Sequence, residues 1–201
     1  MEPTVLSRDM PDETARPKRS ICAITPVFNR RDLTLDCLRT LFESDLGGLD
    51  LHCIVVDDGS SDGSAAAIAD AFPQVEIITG DGTLWYSEGT NVGIRSALLR
   101  DPAYMLLYNN DSRFPRDALQ KLVSCAERHP SSLVGGVLID WDQPERIFQV
   151  GTQWQTGYGG WRTWERQTVA SLPDRPFAVE TIVGNCMLVP TQAIRDCGMM
   201  K

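Results

Sequence analysis

Three polar clusters in this chain have the residue types that bind charged, oxygen-rich ligands: Asn109-Asn110-Asp111, Asp57-Asp58, and the stretch from Thr25 to Asn29. Each closes a short apolar run. An aspartate beside amide groups offers hard oxygen ligands to a divalent ion, and that ion can bridge a diphosphate. An acidic pair accepts hydrogen bonds from a base N–H or from ribose hydroxyls. Taken singly, Asp57-Asp58 also reads as a polar turn capping a helix. Asn109 to Asp111 likewise reads as a strand terminator with an Asx turn. Their recurrence at the ends of several strands is what favours a site.

The elements that must position them alternate in type. Apolar runs over 20–27, 51–56, 75–79, 104–108 and 133–139 read as strands. Between them, helical periodicity opens at Asp32 (Leu35, Leu38, Leu41 and Phe42 on one face), then over 65–71 and 90–99. A fourth helix opens at Pro115, where a missing N–H costs nothing. The stretch 80–89 reads as a loop carrying Trp85 and Tyr86. Strand followed by helix, four times over, predicts a parallel sheet with right-handed crossovers. Parallel strands put their carboxyl ends on one edge, where open α/β sheets bind ligands. The three polar clusters therefore share one crevice. After Asp140 the pattern changes to a strand over 146–154, a Gly- and Trp-rich loop over 157–164, an apolar run over 180–189 and a short helix from Pro190. The expected fold class is α/β, a Rossmann-like, mostly parallel sheet flanked by helices, with an irregular C-terminal portion.

Composition excludes several classes. The 201 residues suffice for one domain, read as 20–201 after a flexible leader over 1–19. Residues 20–112 form its nucleotide-binding half and 113–201 a partial acceptor-side half. A net charge of -8 argues against nucleic acid as a partner. No apolar run is long enough to span a membrane, and the leader has no apolar core of a secretory signal. The cysteines Cys22, Cys37, Cys53, Cys125, Cys186 and Cys197 form no C-x-x-C pair, so reduced thiols are expected rather than a disulfide framework or zinc site. His52 and His129 are read as structural or solvent-exposed. The loop after the first strand lacks G-x-G-x-x-G, and no G-x-x-x-x-G-K-[ST] occurs, which disfavours hydride transfer and P-loop hydrolysis.

Four segments in this order and spacing carry a family resemblance. They are Thr25-Pro26-Val27-Phe28-Asn29-Arg30, Val55-Val56-Asp57-Asp58-Gly59-Ser60-Ser61-Asp62-Gly63-Ser64, Gly89-Thr90-Asn91-Val92-Gly93-Ile94, and the strand ending in Asn109-Asn110-Asp111. From about Ser20 onward the chain resembles an inverting family 2 glycosyltransferase of the GT-A fold. The Trp85-Tyr86 loop is similar to the rhamnosyltransferase-like branch. The resemblance implies transfer of a hexosyl group from a UDP- or dTDP-linked donor to an acceptor hydroxyl, with inversion and with help from Mg2+ or Mn2+. It implies that Thr25, Pro26 and Phe28 line the base pocket, and that Asp57 or Asp58 contacts the base. Asn91 would line the donor cleft. Asn109 to Asp111 would stand in for the family's D-x-D motif, with Asn109 facing the ribose and Asp111 as the metal ligand. The first position departs from the acidic pattern, so one charge is missing.

The family's general base lies downstream of a strand like 181–189. It is expected beyond Lys201, so this chain is read as truncated and, alone, inactive. Asp140 and Asp142 lie past the fifth strand with no motif that marks either as the base. Trp141, Trp154, Trp161 and Trp164 are read as core before sugar-stacking residues, and Arg30 and Arg31 as surface arginines before phosphate ligands. The resemblance implies a glycan or lipid-linked glycan acceptor in polysaccharide biosynthesis. It further implies a cytoplasmic location, with peripheral association at the inner membrane face. The alternative is a nucleotide-sugar-binding module without turnover.

Overall fold

A computed structural model describes residues 19–155, 160–162 and 167–200. Residues 1–18 of the expected leader, and Trp164, lie outside that range. With β5 (Val134–Gly135) and β10 (Cys186–Pro190) at one side, the central sheet has six strands; its parallel part comprises β1 (Ser20–Val27), β2 (Asp50–Asp57), β3 (Glu76–Thr79) and β4 (Tyr104–Tyr108), and the order is β3-β2-β1-β4-β10-β5. Four helices follow these strands in turn: α1 (Arg31–Phe42), α2 (Ser64–Ala71), α3 (Trp85–Leu98) and α4 (Ala118–Arg128). The expected mostly parallel α/β sheet is therefore present, and the four strand–helix repeats produce it.

The period-2 alternation along the strands divides the core into two layers. Ile21, Ala23, Cys53, Val55, Leu106 and Tyr108 pack with Leu38 and Leu41 of α1, Ile68 of α2, and Leu119 and Val123 of α4. Cys22, Ile24, Ile54, Val56, Met105 and Leu107 pack on the opposite face with Ile94 and Ala97 of α3. Strands buried on both faces read as continuous apolar runs, which is why these segments were visible in the sequence. Near the edge formed by β3, Ser96, His52 and Arg100 converge on the carboxylate of Glu76.

The C-terminal portion departs from the expected elements. The strand expected over 133–139 is two pieces, β5 (Val134–Gly135) and β6 (Leu138–Ile139), in different sheets. Gly135 ends β5, and a side chain there would collide with Ile182; Gly136 follows it, where a side chain would crowd the Cys186 sulfur. The strand expected over 146–154 is likewise divided, into β7 (Ile147–Gln149) and β8 (Gln153–Gln155). Gly151 interrupts it, where a Cβ would lie 2.5 Å from both the Thr181 carbonyl oxygen and the Val179 side chain. β8 pairs with β9 (Gly160–Arg162), and β6 with β7. The apolar run over 180–189 becomes β10 (Cys186–Pro190), which enters antiparallel between β4 and β5 and leads into α5 (Thr191–Cys197).

Two helix starts also differ from expectation. α4 begins at Ala118, after a turn in which the Ala118 N–H donates to the Pro115 carbonyl. α3 begins at Trp85, so the second half of the loop expected over 80–89 is helix. The cause of that second difference lies in the site.

Candidate functional site

The carboxyl ends of β1, β2 and β4 are held together by their connecting loops. The loop after β1 is sewn to the loop after β2. The Asn29 N–H donates to Ser60 Oγ at 2.7 Å, and the Ser61 N–H donates to Asn29 Oδ1 at 3.0 Å. Asp62 serves both helices that follow: its Oδ2 accepts the Arg31 N–H at 2.9 Å and its Oδ1 the Ser64 N–H at 3.0 Å. The Ser64 hydroxyl donates to that same carboxylate and, with these N–H groups, holds its pKa below the ordinary value. Asn29 and Arg30 both adopt left-handed backbone, with φ of 60° and 62°. Non-glycine residues rarely do so, and here the flanking hydrogen bonds fix the conformation. Arg30, Arg31, Asp32, Leu33 and Asp62 line an open cleft of about 420 Å³ above the start of α1.

Asp111 contacts one of these lining residues. Its Oδ2 accepts from Arg30 Nη1 at 3.1 Å, with both side chains substantially exposed. Asn110 turns away, its Nδ2 donating to Thr34 Oγ1 on α1 at 2.8 Å. The Asn109 backbone is engaged on both sides, its N–H with the Asn185 carbonyl and its carbonyl with the Ser112 N–H. The β4 terminus thus presents one carboxylate, paired with one arginine from the β1 loop. Among the described residues no three His, Cys, Asp or Glu side chains gather as cation ligands. A single carboxylate still suits a divalent ion that takes its remaining ligands from substrate phosphates and water.

The two aspartates after β2 have separate surroundings. Both are buried. Asp57 Oδ1 accepts the N–H of Ser60, three residues on, at 2.9 Å and so closes the turn after β2. Asp58 accepts three backbone N–H groups from the loop that follows β3: Gly82 at 2.8 Å, Leu84 at 3.0 Å and Trp85 at 3.0 Å. It therefore caps α3, and this explains the early helix start. The cap comes from a residue remote in sequence, so local cap signals could not show it. Gly59 and Gly82 make this contact possible. Both have left-handed φ, 76° and 91°, and a side chain at Gly59 would lie 3.2 Å from the Gly82 nitrogen.

The remaining expected site residues fall into three environments. Phe28 is exposed at the mouth of the crevice. Pro26 faces α3, where Gly89 packs so closely that a Cβ there would sit 2.9 Å from the Pro26 Cβ. Thr25 is fully buried within β1, behind the crevice surface. Asn91 is buried too, and its amide is engaged by the segment after α5. Oδ1 accepts the Met200 N–H at 3.0 Å, and Nδ2 donates to the Met200 carbonyl at 2.9 Å. Asp140 accepts the N–H groups of Asp142 and Gln143, closing a turn after β6. The Trp141 ring lies under the Arg113 guanidinium, 3.7 Å from its centroid. Sequence reading placed Arg30 at the surface and did not pair it with Asp111. Their contact joins two loops, and nothing in the spacing announces it.

The model of the family described as "Glycosyl transferase family 2" matches residues 22–196. The chain belongs to glycosyl transferase family 2. Family membership agrees with the expected resemblance and with the arrangement of polar strand ends. A comparison with curated protein sequences found no match. Among solved structures, this family 2 chain is similar to a mannosyltransferase, PcManGT from Pyrobaculum calidifontis, solved in complex with GDP-Man and Mn2+. The TM-score is 0.63 at 17% identity, over 96% of this chain and 50% of the other. It is also similar to residues 1–349 of TarS from S. aureus, with a TM-score of 0.54 at 14% identity, over 89% of this chain and 49% of that one. These likenesses identify the GT-A fold. The chain spans about half the length of either structure.

Proposed function

We propose that this chain forms the donor-binding part of a glycosyltransferase that moves a sugar from a nucleoside-diphosphate donor to an acceptor hydroxyl with inversion. The observation that carries the reading is the shared crevice. Phe28 and Asn29, the Asp57-Asp58 turn, and Arg30 with Asp111 all lie at one edge of a parallel sheet. The nucleoside lies at the β1 and β2 ends and the diphosphate at the β4 end. Arg30 supplies a positive charge for a phosphate oxygen. Asp111 would hold Mg2+ or Mn2+, with Asn109 offering an uncharged oxygen beside it. When bound, such an ion offsets the charge that builds on the departing diphosphate. The complex of PcManGT with GDP-Man and Mn2+ supports this assignment by analogy of fold. It also adds GDP to the UDP and dTDP donors that the family resemblance implies. No general base is assigned among the described residues. The acceptor follows from family membership alone, as a glycan or lipid-linked glycan met at a membrane surface.

Calorimetry with UDP, dTDP, GDP and ADP, with and without Mn2+, tests the reading. At least one nucleotide is expected to bind more tightly with Mn2+, and Asp111→Ala is expected to remove the Mn2+ dependence while leaving weak metal-free binding. Manganese-dependent binding that survives Asp111→Ala counts against the metal assignment. A second reading, a donor-binding module without turnover, is favoured by the charge balance. One carboxylate, already paired with Arg30, meets the cation at this edge. Acceptor-dependent release of nucleoside diphosphate from a bound donor rules it out.

A further inference from the structure

Trp85 is the most conspicuous side chain that the reading above leaves without a task. It is 82% exposed, at the first position of α3 and beside the crevice. Its backbone has a φ of 55°. For a bulky residue that conformation is an outlier, and such strain persists only where surrounding structure fixes it. The fixing group is known. Asp58 Oδ2 accepts the N–H of both Leu84 and Trp85, and Asp58 Oδ1 accepts that of Gly82. One residue further on, the Tyr86 hydroxyl donates to the Gly184 carbonyl at 3.2 Å. The backbone around Trp85 is thus held from two sides while the indole ring remains in solvent.

Its position relative to the other crevice residues identifies what the ring meets. The Asp58 N–H donates to the Val27 carbonyl, so Phe28, the next residue along, and Trp85 are both tied to Asp58. Gly89, one helical turn beyond Trp85, rests on Pro26 at the end of β1. Asp111 lies on the other side of β1, at the end of β4. A nucleotide held by its diphosphate at Arg30 and Asp111 and extending across β1 brings its base to the side where Phe28 and Trp85 stand. A flat, exposed indole suits the π-face of a base, whichever base it is.

We infer that Trp85 stacks on the nucleobase of the donor, and that Asp58 is a positioning residue that presents it. The inference rests on the donor-site reading. It reassigns the second aspartate: with its carboxylate committed to three backbone N–H groups, Asp58 acts through the loop over 80–85.

The test compares a ligand that has a base with one that lacks it. Wild-type protein, Trp85→Ala, Trp85→Phe and Asp58→Asn are titrated by calorimetry with UDP, GDP and pyrophosphate, each with Mn2+. Circular dichroism confirms that each variant is folded. Trp85→Ala is expected to weaken UDP or GDP binding about tenfold. Trp85→Phe should restore most of that loss, and pyrophosphate binding should not change. Asp58→Asn should reproduce the selective loss. Undiminished nucleotide binding by Trp85→Ala overturns the stacking assignment alone. So does an equal loss for pyrophosphate, because the effect would then act on the diphosphate or the fold. If Trp85→Ala loses nucleotide affinity while Asp58→Asn keeps it, the positioning role of Asp58 is overturned. Wild-type protein that binds neither nucleotide defeats the donor-site reading, and this inference with it.

Discussion

Glu76 shows how several weak contacts set the behaviour of one residue. Burial disfavours its carboxylate, yet hydrogen bonds from Ser96, His52 and Arg100, with the Arg100 charge, hold its pKa down to about 2 from the ordinary 4.5. A carboxyl group depressed on folding stabilises the native state above its unfolded pKa, and that contribution is lost as the pH falls through the folded value. The Glu76 contribution should therefore be complete at neutral pH and decline between about pH 4.5 and pH 2. Urea denaturation of Glu76→Gln is expected to show a loss of roughly 1–3 kcal/mol at pH 7. The gap to wild type should narrow toward pH 2, and a gap independent of pH would refute the assignment. Thiols illustrate the opposite limit: burial pushes the Cys53 pKa up to about 12 and Cys186 to about 11, as buried reduced cysteines require. At this scale the sequence was legible where a residue acts through its type. The apolar neighbours of Cys53 announced a buried thiol. It was illegible where a residue acts through a distant partner. The Arg30–Asp111 and Asp58–Trp85 contacts bring together residues far apart in the chain, and no local pattern encodes them.

Among the elements, α3 carries the tightest packing against the sheet. Gly93 lies directly over Ile24, and a Cβ there would overlap the Ile24 methyl group and touch Val56 at 3.4 Å. Both neighbours are fully buried strand residues with no room to retreat. Alanine is ordinarily the better helix former by about 1 kcal/mol, so an exposed glycine of this kind would gain from the change. Here overpacking outweighs propensity. Gly93→Ala is expected to destabilise the fold by about 1–3 kcal/mol, read as a lower denaturation midpoint. An increase in stability would show that α3 can lift from the sheet. The strands and helix faces of the first half followed from period and apolar run, because each is buried over most of its length. The short strands after α4 did not. β5 to β9 are two or three residues long, and their limits are set by glycines at close contacts rather than by any repeating pattern.

Across the whole molecule, Asn91 joins α3 to the end of the described chain. Its side-chain amide pairs with the Met200 backbone as a neighbouring strand would, and so ties the segment after α5 to the middle of α3. Asn91→Ala should release that segment at a cost of about 1–2 kcal/mol. Hydrogen exchange is expected to rise at the Met200 amide while the β1 and β4 amides stay protected. Unchanged exchange at Met200 would mean that other contacts hold it. Among the described residues no helix is long and apolar enough to cross a membrane. The pairing of β10 has a consequence for how such a chain can vary. The backbone leaves the sheet after Gly135 and returns at Cys186, and Met187 then pairs directly with Gly135. Exit and entry points are neighbours, so everything between them hangs from the sheet as a closed excursion. Lengthening such an excursion costs only a slowly growing closure entropy. The part of the sheet built from β1 to β4 can therefore stay constant while the intervening stretch changes in size and sequence, and on the proposed reading one donor-binding frame would then serve different acceptors.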